Sequence, residues 1–153
     1  MYSKILVPLD GSKLSECVLE HVKAIATGCH AQEVVLLRVI EPMSTHIYEI
    51  PEDWMRDITK KVTADAKGYL ARVSDDLSKA GLAVKTEVMD GIPAEVILDY
   101  AKKKKAELIM MSTKGESGLT RWIFGSVADK VVRQSSAPVF VVSPPGCAPE
   151  SSR

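Results

Sequence analysis

Small residues and glycines separate an apolar run from a helical pattern in the last third of the chain. The run ends at Ser112, and Gly115, Gly118 and Gly125 follow before a helical pattern that begins at Ser126. Glycine has no Cβ, so it adopts positive φ angles and lets a ligand approach the backbone closely. Consecutive backbone N–H groups in such a turn bind anions, and the unpaired N–H groups at a helix start favour negative charge. The stretch therefore predicts a phosphate-binding site.

Two cations and one alternative interpretation belong to the same stretch. Lys114 and Arg121 add positive charge near the glycines. A hydrogen bond to a charged group contributes about 1.5–3 kcal/mol, so three or four of them support micromolar binding after the cost of association. In the alternative interpretation the glycines only make a flexible loop, and Ser126 is the N-cap of the helix with Asp129 at its third position. The spacing alone leaves both interpretations open.

The sequence lacks the patterns of P-loop hydrolysis and of dinucleotide redox chemistry. It has no GxxxxGK[ST] motif, which a P-loop nucleotide hydrolase requires. After the first apolar run it reads LDGSKLS, where a dinucleotide-binding oxidoreductase has GxGxxG. No histidine is spaced to activate Ser12, Ser15 or Ser126 as a nucleophile. We predict a binding site with no catalytic residues and no metal ligands.

The composition indicates one globular domain without an attraction to polyanions. The 153 residues are 46% hydrophobic and 26% charged, and 20 Lys+Arg balance 20 Asp+Glu. A neutral chain has no overall field that attracts nucleic acid or an anionic membrane, so we expect neither as a partner. The three cysteines form no CxxC pair, and no apolar run approaches the roughly 18 residues that span a membrane. These features favour a cytoplasmic protein with reduced thiols.

Apolar runs and amphipathic patterns alternate along the chain, and these elements must position the glycine loop. Four short runs rich in Val, Ile and Leu and one alternating run predict strands. Four segments with apolar residues at intervals of three and four predict helices. The second helix has Pro51 in its first turn, and its stripe from Trp54 to Leu77 is typical of a single buried face. The predicted strands span 5–9, 34–40, 82–88, 108–111 and 139–142, and the predicted helices begin near Ser12, Pro51, Pro93 and Ser126.

This alternation predicts a three-layer α/β domain with a doubly wound, five-stranded parallel sheet. Ligands of such sheets bind beyond the carboxyl ends of the strands, where the strand order reverses. The loops at that edge are 10–12, the segment after Ile40, 91–93 and the glycine loop. The domain is predicted to cover residues 1–144, and the Pro- and Ser-rich residues 145–153 are expected to form a flexible tail.

Four stretches, taken together, resemble the universal stress protein family. They are KILVPLDGS, LLRVIEP, GIPAEVILDYAKKKKAELIMMSTKG and GLTRWIFGSVADKVVRQSSAPVFVV, and they span nearly the whole chain in the family's order and spacing. Members that bind ATP resemble one another in a G-x2-G-x9-G-[ST] pattern. Gly115, the nine residues after it and Gly125-Ser126 fit this pattern, whereas Ser112 replaces the first glycine. The resemblance implies the flavodoxin-like, adenine-nucleotide alpha hydrolase-like fold.

The resemblance also implies an adenine nucleotide as the ligand, which is ATP, ADP or AMP, with or without Mg. By position, Asp10 lies on the ribose or adenine side near Pro8, and the Val39 backbone meets the adenine edge. Met111 flanks the nucleoside. The remaining positions that the resemblance assigns to the phosphates and their loop are Ser112, Lys114, Gly115, Gly118, Gly125, Ser126 and Val127.

The expected function is a cytoplasmic stress-response protein that senses ATP, with slow hydrolysis or none. Its last strand, residues 138–143, is apolar and is expected to pair with its copy across a twofold axis, which gives a homodimer. Ser112 favours instead a dimeric interaction module of the same fold that binds no nucleotide. Two other classes fit less well. An enzyme that activates substrates with ATP would need more Ser and Gly than DGSKLS offers, and a flavodoxin-like electron carrier would need more than 5% aromatic residues.

Overall fold

Five short aliphatic strands form one parallel sheet. The computed structural model describes residues 1–43, 50–113 and 125–144. The strands are β1 (Lys4–Pro8), β2 (Glu33–Ile40), β3 (Val84–Asp90), β4 (Leu108–Ser112) and β5 (Val139–Val142), and their order in the sheet is β3-β2-β1-β4-β5. Every described pairing is parallel, so each strand must be joined to the next by a crossover. The predicted five-stranded parallel sheet is confirmed.

Helices on both faces of the sheet make the crossovers. The described ranges contain α1 (Leu19–Gly28), which follows a 3-10 turn at Ser15–Val18, and then α2 (Glu52–Lys79), α3 (Pro93–Lys103) and α4 (Ser126–Gln134). One cluster of buried residues joins α1 and α2 to one face of the sheet, and a second joins α3 and α4 to the other face. Side chains alternate along each strand, so Ile5 and Val7 enter the first cluster and Leu6 enters the second. The three predicted layers are therefore present.

The long helix α2 departs from its prediction in its first half. Leu70, Val73 and Leu77 are buried against the sheet, as the apolar spacing predicts. Trp54, however, is 68% exposed and Val62 is 37% exposed, so the prediction of one buried face from Trp54 to Leu77 is wrong for the first turns. Length explains this, because 28 residues of helix extend about 42 Å, whereas a typical strand extends only about 20 Å. Neither α2 nor any other helix of the described ranges combines the length and the apolar character needed to cross a membrane.

The ends of the helices follow local signals with small shifts. The first helix was predicted to begin near Ser12, but α1 begins at Leu19 after the 3-10 turn, whose N-cap is Leu14. The Ser12 hydroxyl accepts a hydrogen bond from the N–H of Ser15, the first residue of that turn, at 3.2 Å. Pro51 is the N-cap of α2 and stands one residue before the position predicted for it. Gly81 follows the end of α2 with a φ of 85°, a conformation that glycine adopts without strain.

Candidate functional site

The strand order reverses at β1, which has β2 on one side and β4 on the other. β1 ends at Pro8 and β2 continues to Ile40, and the last bond between the two segments runs from the Leu9 N–H to the Leu37 carbonyl at 2.9 Å. A cavity of about 370 Å³ opens beyond this bond, at the carboxyl ends of β1, β2 and β4 and the first turns of α3 and α4. Small-molecule sites typically have about 300–1,000 Å³, and open parallel sheets bind ligands at this position.

Eight of the residues predicted from the sequence line this cavity together. They are Pro8, Asp10, Val39, Met111, Ser112, Gly125, Ser126 and Val127. The predicted Lys114, Gly115 and Gly118 lie outside the residues that the structure describes. The other lining residues, to which the sequence assigned no ligand-binding role, are Leu9, Ser15, Leu37, Arg38, Glu41, Pro93, Ile97, Thr113 and Ala128. The rule for parallel sheets already placed the loops of Glu41 and Pro93 at the ligand edge, and that signal would have found both residues.

Apolar side chains form the wall of the cavity that faces α3 and α4. Leu37, Val39, Ile97 and Met111 line it, and each of these side chains is at most 5% exposed. All four belong to the buried cluster between the sheet and α3 with α4, so their positions are fixed by packing. A rigid apolar wall of this kind suits a flat ring with polar groups only at its edge.

Asp10 organises the turn that leaves β1. Its Oδ1 accepts hydrogen bonds from the Ser12 N–H at 2.9 Å and from the Ser12 hydroxyl at 2.6 Å. The Ser15 hydroxyl donates to the Ser12 carbonyl at 2.8 Å, and Gly11 supports the tight turn with a φ of 87°. These local bonds hold the Asp10 carboxylate at the cavity. A structural role and a role toward a ligand are compatible for Asp10, because a carboxylate has two oxygens and can accept several hydrogen bonds at once.

The first turn of α4 brings backbone amides to the cavity. Gly125 is the N-cap and has no side chain with which to cap the helix, and its N–H donates to the Thr113 carbonyl at 2.7 Å. The first intrahelical bond runs from the Asp129 N–H to the Gly125 carbonyl, so the amides of residues 126–128 precede the helical hydrogen-bond ladder. All three of those residues line the cavity. The amides and the helix dipole together favour a negatively charged group at this end.

The alternative interpretation of Ser126 as an N-cap is wrong. Ser126 is the first helical residue, one position after the cap. The Asp129 side chain does not complete a capping box, since both of its carboxylate oxygens accept from the Arg133 Nε, at 2.9 and 3.0 Å. Gly125 takes the cap position with an extended backbone, φ −55° and ψ 151°, and its N–H is bonded to the Thr113 carbonyl. This end of α4 is thus left without a side-chain cap from Gly125 or Ser126.

A second cavity, of about 340 Å³, lies toward α2 and shares Asp10 and Arg38 with the first. Tyr69 lines it, and the Tyr69 hydroxyl is buried with no hydrogen-bond partner in the described part of the chain. Burial, and after it the negative charge of nearby Glu16, raises the pKa of Tyr69 to about 12. The phenol therefore stays neutral at physiological pH. Within residues 1–43, 50–113 and 125–144, no three His, Cys, Asp or Glu side chains gather as metal ligands would.

Comparison with known proteins places this fold and cavity in a family. The sequence profile of the Universal stress protein family matches residues 1–143, which include every described residue of the cavity. The chain belongs to the universal stress protein family. The resemblance that four stretches of the sequence indicated is therefore confirmed.

Individual members of the universal stress protein family are similar over nearly their whole length. Universal stress protein MJ0577 of Methanocaldococcus jannaschii is 33% identical over 93% of this chain and 95% of its own. The solved structure of MJ0577 has a TM-score of 0.84 at 35% identity and covers 94% of this chain and 96% of that one. Universal stress protein UspA from Lactobacillus plantarum has a TM-score of 0.80 at 26% identity, covering 92% and 97%. An Arabidopsis thaliana family protein, solved with AMP bound, shares the fold with a TM-score of 0.68 at 19% identity, covering 94% and 93%.

Proposed function

We propose that this universal stress protein binds an adenine nucleotide in the cavity beyond β1 and that occupancy of the cavity acts as a stress signal. One observation carries the proposal. The apolar wall and the amides at the start of α4 line the same cavity, at the point where the strand order reverses. A nucleotide has the matching chemistry, since it joins a flat ring to a strongly anionic group. The AMP bound to the Arabidopsis protein, which has the same fold, supports this choice of ligand.

The described residues fit such a ligand. Val39 and Met111, with Pro8, take the base and nucleoside side, where the walls are apolar. Asp10 is held by Ser12 in a position to accept hydrogen bonds from ribose hydroxyls. The phosphates take the amides of Ser126 and Val127 beside Gly125, and the proposal assigns Ser112, Lys114, Gly115 and Gly118 to the loop around them. An anion at a helix start that has no side-chain cap replaces the missing cap.

Binding is proposed as the activity, with slow hydrolysis or none. Hydrolysis requires a group that positions the attacking water and charges that stabilise the departing phosphates, usually with a metal ion such as Mg²⁺. The acidic residues among the described lining are Asp10 and Glu41. Asp10 is engaged by Ser12, and Glu41 is exposed on the loop after β2. The proposal gives Asp10 to the ribose and assigns no general base, so the nucleotide is expected to persist and its occupancy to follow its concentration.

A homodimer in the cytoplasm completes the proposal. β5 lies at the edge of the sheet, and each of its four residues, Val139–Val142, is only partly buried. An apolar edge strand with unpaired backbone groups is prone to pair with another strand. Residues 138–143 of a second copy can supply that strand through a closed twofold contact. Gel filtration tests this part, and elution as a monomer at high concentration would contradict it.

Retention of nucleotide on the purified protein is the first test. Denaturing the protein and chromatographing the supernatant should release adenine nucleotide. Adding ATP with Mg²⁺ at about 100 times its dissociation constant should raise the melting temperature by about 5–10 °C. If neither signal is found at millimolar ATP, the protein is the interaction module that Ser112 favours, because a serine Cβ at that position crowds the nucleotide.

Ser126→Pro tests which groups hold the phosphates. Proline is well tolerated as the first helical residue, and Gly125 already has the extended backbone that a residue before proline requires. The substitution removes the N–H and the hydroxyl of residue 126 and keeps the helix. Ser126→Ala is the matched control, since it removes the hydroxyl alone. We expect Ser126→Pro to weaken ATP binding about tenfold or more, with the melting temperature of the free protein nearly unchanged. Equal affinities for both variants would mean that this amide does not contact the ligand.

A further inference from the structure

The carbonyl of Val39 points into the cavity beside a positive charge. The Leu37 carbonyl accepts from Leu9 on the β1 side of the strand, and the Ile40 carbonyl accepts from the Gly91 N–H on the β3 side at 3.0 Å. Peptide groups alternate sides along a strand, so Val39 directs its carbonyl toward β1, as Leu37 does. β1 has already ended at that level, so the carbonyl faces the cavity.

The Arg38 guanidinium is hydrogen-bonded to this carbonyl. Its Nη1 donates to the Val39 oxygen at 2.7 Å, a short, charge-assisted hydrogen bond. Arg38 belongs to the strand face that packs toward α2, as its neighbour Leu36 does, so the side chain must fold over the end of the sheet to reach the oxygen. The side chain passes close to Gly11, where a Cβ would be in ordinary van der Waals contact with the Arg38 Nε, at 3.7 Å. Arg38 consequently lines both cavities and stands between them.

Most of the Arg38 donors have no partner among the residues that the structure describes. A guanidinium carries five N–H donors. Within the described ranges, Arg38 donates one hydrogen bond, to the Val39 carbonyl, and no carboxylate forms an ion pair with its guanidinium. A carbonyl oxygen also has two lone pairs, so Val39 retains one for a ligand. The rim of the proposed base site therefore presents an acceptor and a cationic donor side by side.

We propose that Arg38 determines base specificity and widens recognition from 6-aminopurine to 6-oxopurine nucleotides. The inference rests on the proposed function. A 6-aminopurine offers a donor at position 6 and an acceptor at N1, whereas a 6-oxopurine offers an acceptor at position 6 and a donor at N1–H. The paired acceptor and donor of Val39 and Arg38 satisfy either edge. The 6-oxo group is the stronger acceptor for a guanidinium, which is how arginine reads guanine in nucleic acids.

Arg38 and a bound base share the Val39 oxygen, and this sharing also weakens the preference for adenine. An amino group at position 6 must share that oxygen with the Arg38 Nη1, and the donor hydrogens of both groups carry partial positive charge and repel each other. A 6-oxopurine shares the oxygen in the same way through its N1–H, but its 6-oxo group offsets this because it is a stronger acceptor for the Arg38 guanidinium than N1 of adenine is. Arg38 thus lowers the advantage that a backbone carbonyl alone would give to adenine.

Titration of the purified protein with ATP and with inosine triphosphate tests this inference, since the two ligands differ only at position 6 and N1. We expect the wild-type dissociation constants to lie within about tenfold of each other. Arg38→Met, which keeps the aliphatic stem and removes the donors, should raise the ratio of the inosine to the adenosine constant by about tenfold or more. Arg56→Met, which makes the same change at an arginine that is 64% exposed on α2, should leave the ratio unchanged.

The outcomes separate this inference from the function on which it rests. If the wild type binds ATP but rejects inosine triphosphate by more than about 100-fold, Arg38 does not widen recognition, and the proposed function stands. The same conclusion follows if Arg38→Met binds both ligands with the wild-type ratio. If Arg38→Met fails to fold, the wild-type ratio can still overturn the inference. Binding of neither ligand by the wild type would overturn the inference and the proposed function together.

Discussion

Replacing Gly91 with alanine probes the turn that delivers α3 to the cavity. Gly91 has a φ of 141°, and its N–H donates to the Ile40 carbonyl at 3.0 Å. A Cβ at this position would lie 2.7 Å from the Cγ2 of Val96, a distance that real Cβ atoms do not reach. The backbone strain costs about 1–3 kcal/mol. Displacing a valine from its preferred helical rotamer adds about 0.5–1.5 kcal/mol, so we expect a loss of about 2–4 kcal/mol in the free energy of unfolding.

Two other glycines separate these contributions. Gly81 has a φ of 85° but nothing within 4 Å of the Cβ that alanine would add, so Gly81→Ala should cost only the backbone strain, about 1–2 kcal/mol. Gly68 lies inside α2 with open space around it, and Gly68→Ala should stabilise the protein by about 0.5–1 kcal/mol because alanine is the better helix former. Replacing glycine with alanine is thus expected to lower the free energy of unfolding at position 81 and to raise it at position 68.

Urea unfolding followed by circular dichroism measures the series, and constant slopes confirm that stability alone has changed. The double variant Gly91→Ala with Val96→Ala removes the Cγ2 that the new Cβ meets. Its loss should be smaller than the sum of the two single losses by at least about 0.5 kcal/mol. Additive losses, or a Gly91→Ala variant as stable as Gly81→Ala, would refute the steric part of the reasoning.

Three further expectations concern packing, titration and the first turn. Leu77→Ala should cost about 2–5 kcal/mol because Leu77 is fully buried, whereas Trp54→Ala should change stability by less than about 0.5 kcal/mol in chemical denaturation, since that side chain is 68% exposed. Burial raises the pKa of Tyr69 to about 12, above the value of 10.0 in an unfolded chain. The contribution of the neutral Tyr69 to the free energy of unfolding is therefore complete below pH 10 and is lost as the pH rises from 10 to 12. Tyr69→Phe should reduce the fall in stability between pH 10 and pH 12. An unchanged slope in that range would count against a raised pKa of Tyr69. Ser12→Ala removes the acceptor of the Ser15 N–H and should lower the melting temperature by about 2–4 °C in calorimetry. An unchanged melting temperature would contradict this and would mean that water replaces the hydroxyl as the acceptor.

The sequence was sufficient for the fold because its signals are local and consistent. Runs such as Val34–Ile40 have no polar residue except Arg38, so a strand buried on both faces was predictable. The burial of α2 was predicted incorrectly at Trp54 and Val62 because spacing reveals which residues share a face and not how far the sheet extends beneath them. Only the relative lengths of helix and sheet decide that.

The candidate site was predictable where motif and topology agree. Pro8, Asp10 and Met111 lie at or just beyond the ends of strands, and the switch of strand order brings strand ends together. Arg38 was missed because a charged residue within a strand is assigned to the face where its Cβ points, whereas its long side chain reaches around the end of the sheet. The start of a helix at Ser126 was predicted correctly. The alternative that made Ser126 the N-cap is wrong, because Gly125 holds that position and its bond to Thr113 is a tertiary contact that the local sequence does not reveal.

Thr113 lies between the edge strand β5 and the start of α4. Its N–H donates to the Val142 carbonyl of the edge strand at 2.8 Å, and its carbonyl accepts from Gly125 at the mouth of α4. A single residue is thus hydrogen-bonded both to the edge strand and to the N-cap of α4, next to the amides that would meet an anion. A ligand that displaces the start of α4 is therefore expected to shift the edge strand through these two hydrogen bonds, and so to alter the surface that is proposed to pair with a second copy.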